Sequence, residues 1–271
     1  MKLIFLGSGS AFTVGAGNYH SNLLLISDRG NKLLLDCGSD IRFSLHEVGY
    51  SHLDITDIYI SHLHSDHVGG LEYIAFTTKF DPRCQKPRLY LSKDLAADLW
   101  EKTLSGGLRS VEGELNDLDT FFEVEKIPRH GSFTWENIEF KLVKVIHINN
   151  GFFVMPTYGL FFEIAGQKMF LTTDTQLCVD EIKDYYDRAD LIFHDCETSK
   201  FPSPVHAHYN QLVNLPAPIK NKMWLYGYQP GPLPDAQHDG FLGFVRRGQV
   251  FDFSPSTDRD RPVSADMNIS S

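Results

Sequence analysis

The chain has 271 residues, 42% of them apolar and 22% charged, which is enough for one large domain with a substantial core. Its formal net charge of −10 argues against broad, sequence-independent nucleic-acid binding, which needs a basic surface. An anionic substrate stays open, because bound divalent cations reverse the local field.

The N-terminal run "MKLIFLGSGSAF" is too short in apolar residues for a signal peptide or a membrane span. Residues 2–6 read as a buried strand that ends in a Gly/Ser loop. "SNLLLISDRGNKLLLDCG" reads as a hairpin turning at residues 28–31, and "SDIRFSLHEVGY" as a short helix stopped by Gly49. "ITDIYIS" is expected as a strand, followed by the polar cluster "SHLHSDH" and a helix over "HVGGLEYIAFTTKF". "PRLYLS" and "KDLAADLWEKTL" continue as strand and helix, and residues 105–120 look irregular. Strands are expected over 121–127, 133–147, 158–164 and 168–173. A mixed region follows, with a helix in "CVDEIKDYYDRA", strands in "DLIFHD" and "KMWLYGY", a short helix in "YNQLVNL" and a closing strand in "GQVFDF". Residues 1–253 are read as a single hydrolase domain and the polar residues 254–271 as a disordered tail.

Many strands come first, with helices interspersed and hairpins frequent, so the pattern predicts two mostly antiparallel sheets packed face to face with helices outside. The "GSGSAF" loop lacks a GxGxxG pattern and a following helix, which disfavours a nucleotide-binding Rossmann sheet. The four cysteines, Cys37, Cys84, Cys178 and Cys196, form no CxxC pair, and free thiols in a cytoplasmic protein are the simple reading.

The chemistry concentrates in residues 61–70, "SHLHSDHVGG". His62 and His64 stand two apart, so on an extended backbone they point the same way and can grip one cation. Asp66 and His67 follow where the chain turns into a helix, aimed at a neighbouring point. The mixture of imidazole nitrogen and carboxylate oxygen suits Zn²⁺, Mn²⁺ or Fe. His147 and Asp174 each end a predicted strand, where sites are commonly built.

Taken together, "FLGSGSAF", "LLLDCGSD", "ISHLHSDHVGGLE", His147 and "LTTDT" resemble the metallo-β-lactamase fold superfamily over most of residues 1–250. The opening and spacing are most similar to its phosphodiesterase branch. That branch holds ribonuclease Z-like proteins and small cyclic-nucleotide phosphodiesterases, including phage enzymes that degrade bacterial signalling nucleotides. The resemblance implies an α+β, four-layer αββα sandwich and a homodimer. It also implies two divalent metal ions, zinc or manganese. His62, His64 and His147 would hold one, Asp66 and His67 the other, and Asp174 would bridge them. Asp36 resembles a carboxylate that orients a ligand histidine, and a buried turn aspartate bonded to backbone is an equal reading. The sequence departs from the pattern at Gly227, where the family usually carries one more ligand histidine. Water filling that position, His238 reaching in, and lost activity are the three explanations, with water and a weakened second ion preferred.

The implied reaction is metal-dependent hydrolysis of a phosphodiester in a small, cyclic nucleotide, with Asp66 at the nucleophile. His206 and His208 in "SPVHAHYNQL" are candidates for the general acid, with His208 slightly preferred; a further metal site or a helix cap is the alternative for the pair. Phe152, Phe153, Met155 and Tyr158 could wall a base-stacking pocket or serve as core or dimer contact. His194 is read as structural. A ribonuclease Z-like tRNA 3′-processing endonuclease and a catalytically weakened nucleotide-binding homologue are the competing functions. RNA is thus a second candidate partner, and no membrane is expected.

Overall fold

The computed structural model describes residues 1–15 and 17–254. The chain opens with β1 (Lys2–Phe5), β2 (Leu23–Ile26), β3 (Lys32–Leu35), α1 (Ile41–Glu47) and β4 (Asp57–Ile60). Next come α2 (Ser65–Val68), α3 (Leu71–Phe80), β5 (Arg88–Ser92) and α4 (Lys93–Asp98), which runs into a π-helical stretch at Leu99–Leu104. α5 (Ser105–Leu108), a small hairpin of β6 (Ser110–Val111) and β7 (Glu114–Leu115), and α6 (Leu118–Phe121) lead to a strand-rich section. It holds β8 (Glu123–Ile127), β9 (Ser132–Trp135), β10 (Ile138–Val145), β11 (Thr157–Ile164) and β12 (Gln167–Leu171). α7 (Val179–Arg188), β13 (Leu191–Asp195), α8 (Tyr209–Leu212), α9 (Ala217–Lys220), β14 (Met223–Tyr226), β15 (Gly243–Phe244) and β16 (Val250–Asp252) complete the order.

Two seven-stranded sheets result, ordered β16-β1-β2-β3-β4-β5-β8 and β15-β14-β13-β12-β11-β10-β9. Period-2 alternation explains how they pack. On β11, Leu160 and Phe162 join the core that also holds Phe5, Tyr59 and Tyr90 of the first sheet, while Phe161 joins the core under α7. β12 repeats this with Met169 and Leu171 on one face and Phe170 on the other. Apolar runs covered on both faces need a layer on each side. The layers are α1 and α3, sheet, sheet, then α7 and α8, an αββα sandwich. Many of the aromatics fill the space between the sheets. Phe133 stacks on Tyr90 at 4.3 Å and on Phe140 at 5.0 Å between ring centroids.

Several expectations need correction. The sheets are not mostly antiparallel: β3-β4-β5-β8 and β12-β13-β14-β15 are parallel runs. Helices cross between most of those strands, residues 227–242 join β14 to β15 without one, and hairpins join β2 to β3 and link β9 to β12. The strand expected over 133–147 is two, because Glu136 and Asn137 both adopt positive φ (51° and 62°) and turn the chain into a hairpin. The helix after the histidine cluster is split at Gly69–Gly70 into α2 and α3. Residues 105–120 carry two short helices and the small hairpin. Of the expected tail, residues 255–271 lie outside the described residues.

Candidate metal centre

The site forms where strands of both sheets end. β4 stops at Ile60, and Ser61 to His64 run extended before α2 begins at Ser65. His62 and His64 therefore share a direction, and Asp66 and His67 fall in the first turn of α2. β10 ends two residues before His147, and β12 ends three before Asp174. Thr173 has φ of 55°. A β-branched residue in that region is strained, and the strain sits immediately before Asp174.

His62 Nε2 and His147 Nε2 each lie 3.1 Å from His64 Nδ1. Asp174 Oδ2 stands 3.9 Å from His62 Nε2 and 3.7 Å from His147 Nε2. His147 Nδ1 donates to the Val205 carbonyl at 2.8 Å, which fixes its tautomer and leaves Nε2 as a lone pair. One proton on His64 Nδ1 cannot satisfy two such neighbours. A cation does: donors around tetrahedral zinc, with Zn–N of ~2.0–2.1 Å, stand about 3.4 Å apart.

His67 makes the same point beside it. Its Nδ1 donates to Asp36 Oδ2 at 2.7 Å, and its Nε2 is buried with no well-formed hydrogen bond among the described residues. That nitrogen faces Asp66 Oδ2 at 3.1 Å and Asp174 Oδ2 at 3.3 Å. An imidazole nitrogen and two carboxylates that converge in a buried place are a natural ligand set for a second cation, whose charge would take the place of the ring proton. Burial pulls the His67 imidazole down, but Asp66, Asp174 and Asp36 outweigh it and hold it well above its usual value. Burial, followed by the charge of His67, holds His62 well below. Asp36 fills both roles considered for it. It accepts from the Ser61 backbone N–H (2.8 Å) and hydroxyl (2.7 Å), and it orients His67.

His206 joins this cluster and His208 does not. The His206 ring lies 4.8 Å from that of His147, and its Nδ1 donates to Asp195 Oδ2 at 2.7 Å. Burial lowers its pKa, yet Asp195 overrides this and pushes it up to about 10. His208 caps α8: its Nδ1 accepts from Asn210 N at 3.2 Å and its Nε2 donates to the Ser199 carbonyl at 3.0 Å. Both nitrogens are committed, so the preference for His208 as proton donor reverses in favour of His206. His194 is structural, buried between the Tyr186 hydroxyl and the Asp195 carbonyl. Tyr158 is also buried, with its hydroxyl on Asp94, so it walls no pocket; Phe152 is fully exposed and Phe153 half-exposed.

Asp195 escaped the sequence reading, although it ends "LIFHD" as Asp36 ends "LLLD". It also explains Gly227. A Cβ at 227 would stand 2.7 Å from Asp195 Oδ1, and φ there is +80°. The space for a histidine side chain is taken by the carboxylate that holds His206. His238 lies exposed in the turn after Asp235 and does not reach in.

Residues 1–251 match the family described as Anti-Pycsar protein Apyc1. The chain belongs to the Anti-Pycsar protein Apyc1 family. It is 34% identical over 248 residues to the Apyc1 protein of Paenibacillus harenae, covering 91% of this chain and 96% of that one. With the Apyc1 protein of Bacillus phage vB_BveM-Goe7 it shares 32% over 260 residues, 92% and 96% of the two chains. Among solved structures it is similar to the metallo-β-lactamase fold protein YhfI from Bacillus subtilis, with a TM-score of 0.69, 17% identity, and 92% and 98% coverage. The short form of human tRNase Z superposes with a TM-score of 0.66 at 19% identity, covering 93% and 99%. These likenesses show that Apyc1-family membership goes with the metallo-β-lactamase fold in this chain.

Proposed function

We propose that the protein is a metal-dependent phosphodiesterase that hydrolyses a small cyclic nucleotide. The convergence of His62, His64, His147 and Asp174 beside Asp66, His67 and the same Asp174 is the observation that carries this reading. In it, His62, His64 and His147 hold the first ion, Asp66 and His67 the second, and Asp174 serves both. Zinc or manganese fits the nitrogen and oxygen donors. Two divalent cations held by these residues would supply a nucleophile at neutral pH and neutralise charge on phosphoryl oxygens. Asp66 takes up the proton of the attacking water. His206, kept protonated by Asp195, faces the leaving oxygen and gives it a proton from Nε2. Asp195 holds the ring by Nδ1 and stabilises its positive charge. Without a histidine at 227, Asp66, His67 and Asp174 would be the three protein ligands offered to a second ion, and weaker retention is expected.

Membership in a family named for opposing a signalling system supports a signalling-nucleotide substrate over precursor tRNA. The charges of the basic stretch 79–88 also disfavour an RNA clamp: Lys79 pairs with Glu114, Arg83 with Asp81, and Arg88 lies near Asp57 and Glu123. The same reading takes residues 1–253 as one hydrolase domain, acting as a cytoplasmic homodimer. Among the described residues no helix is long and apolar enough to cross a membrane.

The test is incubation of metal-loaded protein with a panel of cyclic mono- and dinucleotides. Ring-opened products are expected. If every nucleotide stays intact while one binds stoichiometrically, the protein is a sequestering homologue and the enzymatic reading is wrong.

A further inference from the structure

A second polar cavity lies on the same edge of the fold as the metal centre. It is half open to solvent, holds about 320 Å³ and is lined by Thr13, Asn18, Tyr228, Gln229, Arg246 and Arg247, among others, with no carboxylate among the described lining residues. In a chain of net charge −10, Arg246 stands out at this pocket, because among the described residues its guanidinium has no carboxylate partner, whereas Arg247 is paired with Glu47.

Topology places this cavity beside the reaction. β12 to β15 are parallel, so their C-terminal ends share one edge. Asp174, Asp195, Gly227 and Arg246 follow those ends in strand order. Asp195 pairs with Tyr226, and Leu225 with Phe244, so Gly227 and Arg246 fall at matching levels. With strands ~4.8 Å apart, Arg246 stands about 10 Å from Asp195. Ligands in sheets with parallel strands bind at such C-terminal edges.

Among the described residues Gln229 and Arg246 keep donors free, while the Asn18 amide donates to Ser8 Oγ at 3.3 Å and the Tyr228 hydroxyl to the Val245 carbonyl at 2.9 Å. Gln229 Oε1 already accepts from Thr198 N at 2.6 Å, leaving its Nε2 as a free donor. Asn18 Oδ1 is held by the amides of Ser8 (3.1 Å) and Tyr19 (2.9 Å). Arg247 is fixed by Glu47 and lies over the Tyr19 ring at 5.6 Å. Arg246 is exposed, and among the described residues its guanidinium has no carboxylate partner.

We infer that this cavity is a substrate subsite. It binds oxygen acceptors of the nucleotide remote from the phosphate being cleaved, through Arg246 and Gln229. The inference rests on the phosphodiesterase reading above. The acceptors come either from a base carbonyl edge or from a second phosphate, and both are donor-seeking groups that an arginine fork recognises.

The test compares wild type with Arg246→Glu, using cyclic mononucleotides, a cyclic dinucleotide and bis(p-nitrophenyl) phosphate. Arg246 is exposed and outside the metal ligands, so the fold and the kcat on bis(p-nitrophenyl) phosphate are expected to persist. KM for nucleotides is expected to rise at least tenfold, with little change for the nitrophenyl ester. A rise confined to the dinucleotide assigns the second phosphate, and a rise for mononucleotides assigns the base. Unchanged nucleotide KM, or an equal change on every substrate, overturns the subsite. If wild type cleaves nothing, the phosphodiesterase reading fails by itself, and nucleotide binding by calorimetry decides the cavity: affinity lost in Arg246→Glu supports it, and equal affinity in both proteins overturns it.

Discussion

Gly227 and Asp195 form one device rather than a defect and a bystander. Restoring a histidine at 227 is expected to add no ligand. The new side chain meets Asp195 Oδ1, and left-handed backbone strain alone is on the order of 1–3 kcal/mol. Gly227→His should therefore unfold at lower temperature without gaining metal, as thermal denaturation and metal analysis read together. A gain in bound metal would show that Asp195 moves aside. Asp36 gives a second prediction at this scale. Asp36→Asn keeps the volume but loses the charge behind His67, and metal affinity is expected to fall roughly 10–100-fold. Equal affinity in a calorimetric titration would make Asp36 a turn residue only. The ligand cluster itself was legible in sequence, since four donor-type residues in six positions share two directions once the strand and turn are read. Asp195 was not, because its importance comes from His206, which is 11 residues away in sequence and folds back onto it.

At the scale of elements, sequence periodicity located most strands but not their partners. Apolar runs such as "KLIF" at 2–5 and "LIF" at 191–193 carry no record of direction. The parallel runs β3-β4-β5-β8 and β12-β13-β14 arise from helical crossovers that pattern reading placed without assigning to a face. The break at Glu136–Asn137 was missed because glutamate is not a turn signal, although both residues take positive φ. Phe133, on the hairpin that follows from that break, stacks between Tyr90 and Phe140. Phe133→Ala should destabilise the protein by ~3–5 kcal/mol in denaturant unfolding, the usual range for an emptied aromatic core position. A change under about 1 kcal/mol would mean the two sheets close over the gap.

For the whole molecule, pH dependence separates structural from catalytic histidines. Burial lowers His194 from 6.5 to about 4. It stays neutral in the folded state, while the unfolded chain takes a proton below about 6.5. Folded stability is then full above that pH and falls as pH drops from 6.5 toward 4, by ~3 kcal/mol in total. His194→Gln should flatten that part of the stability profile relative to wild type, and an unchanged slope would place the acid lability elsewhere. The central claim is that two ions, held by six side chains around one shared Asp174, make this chain a phosphodiesterase. Its most direct measurement is titration of metal-free protein with Mn²⁺ while following cyclic-nucleotide hydrolysis and bound metal together. Activity is predicted to stay low through the first equivalent and to rise with the second. Full activity at one equivalent, or none at two, would contradict it.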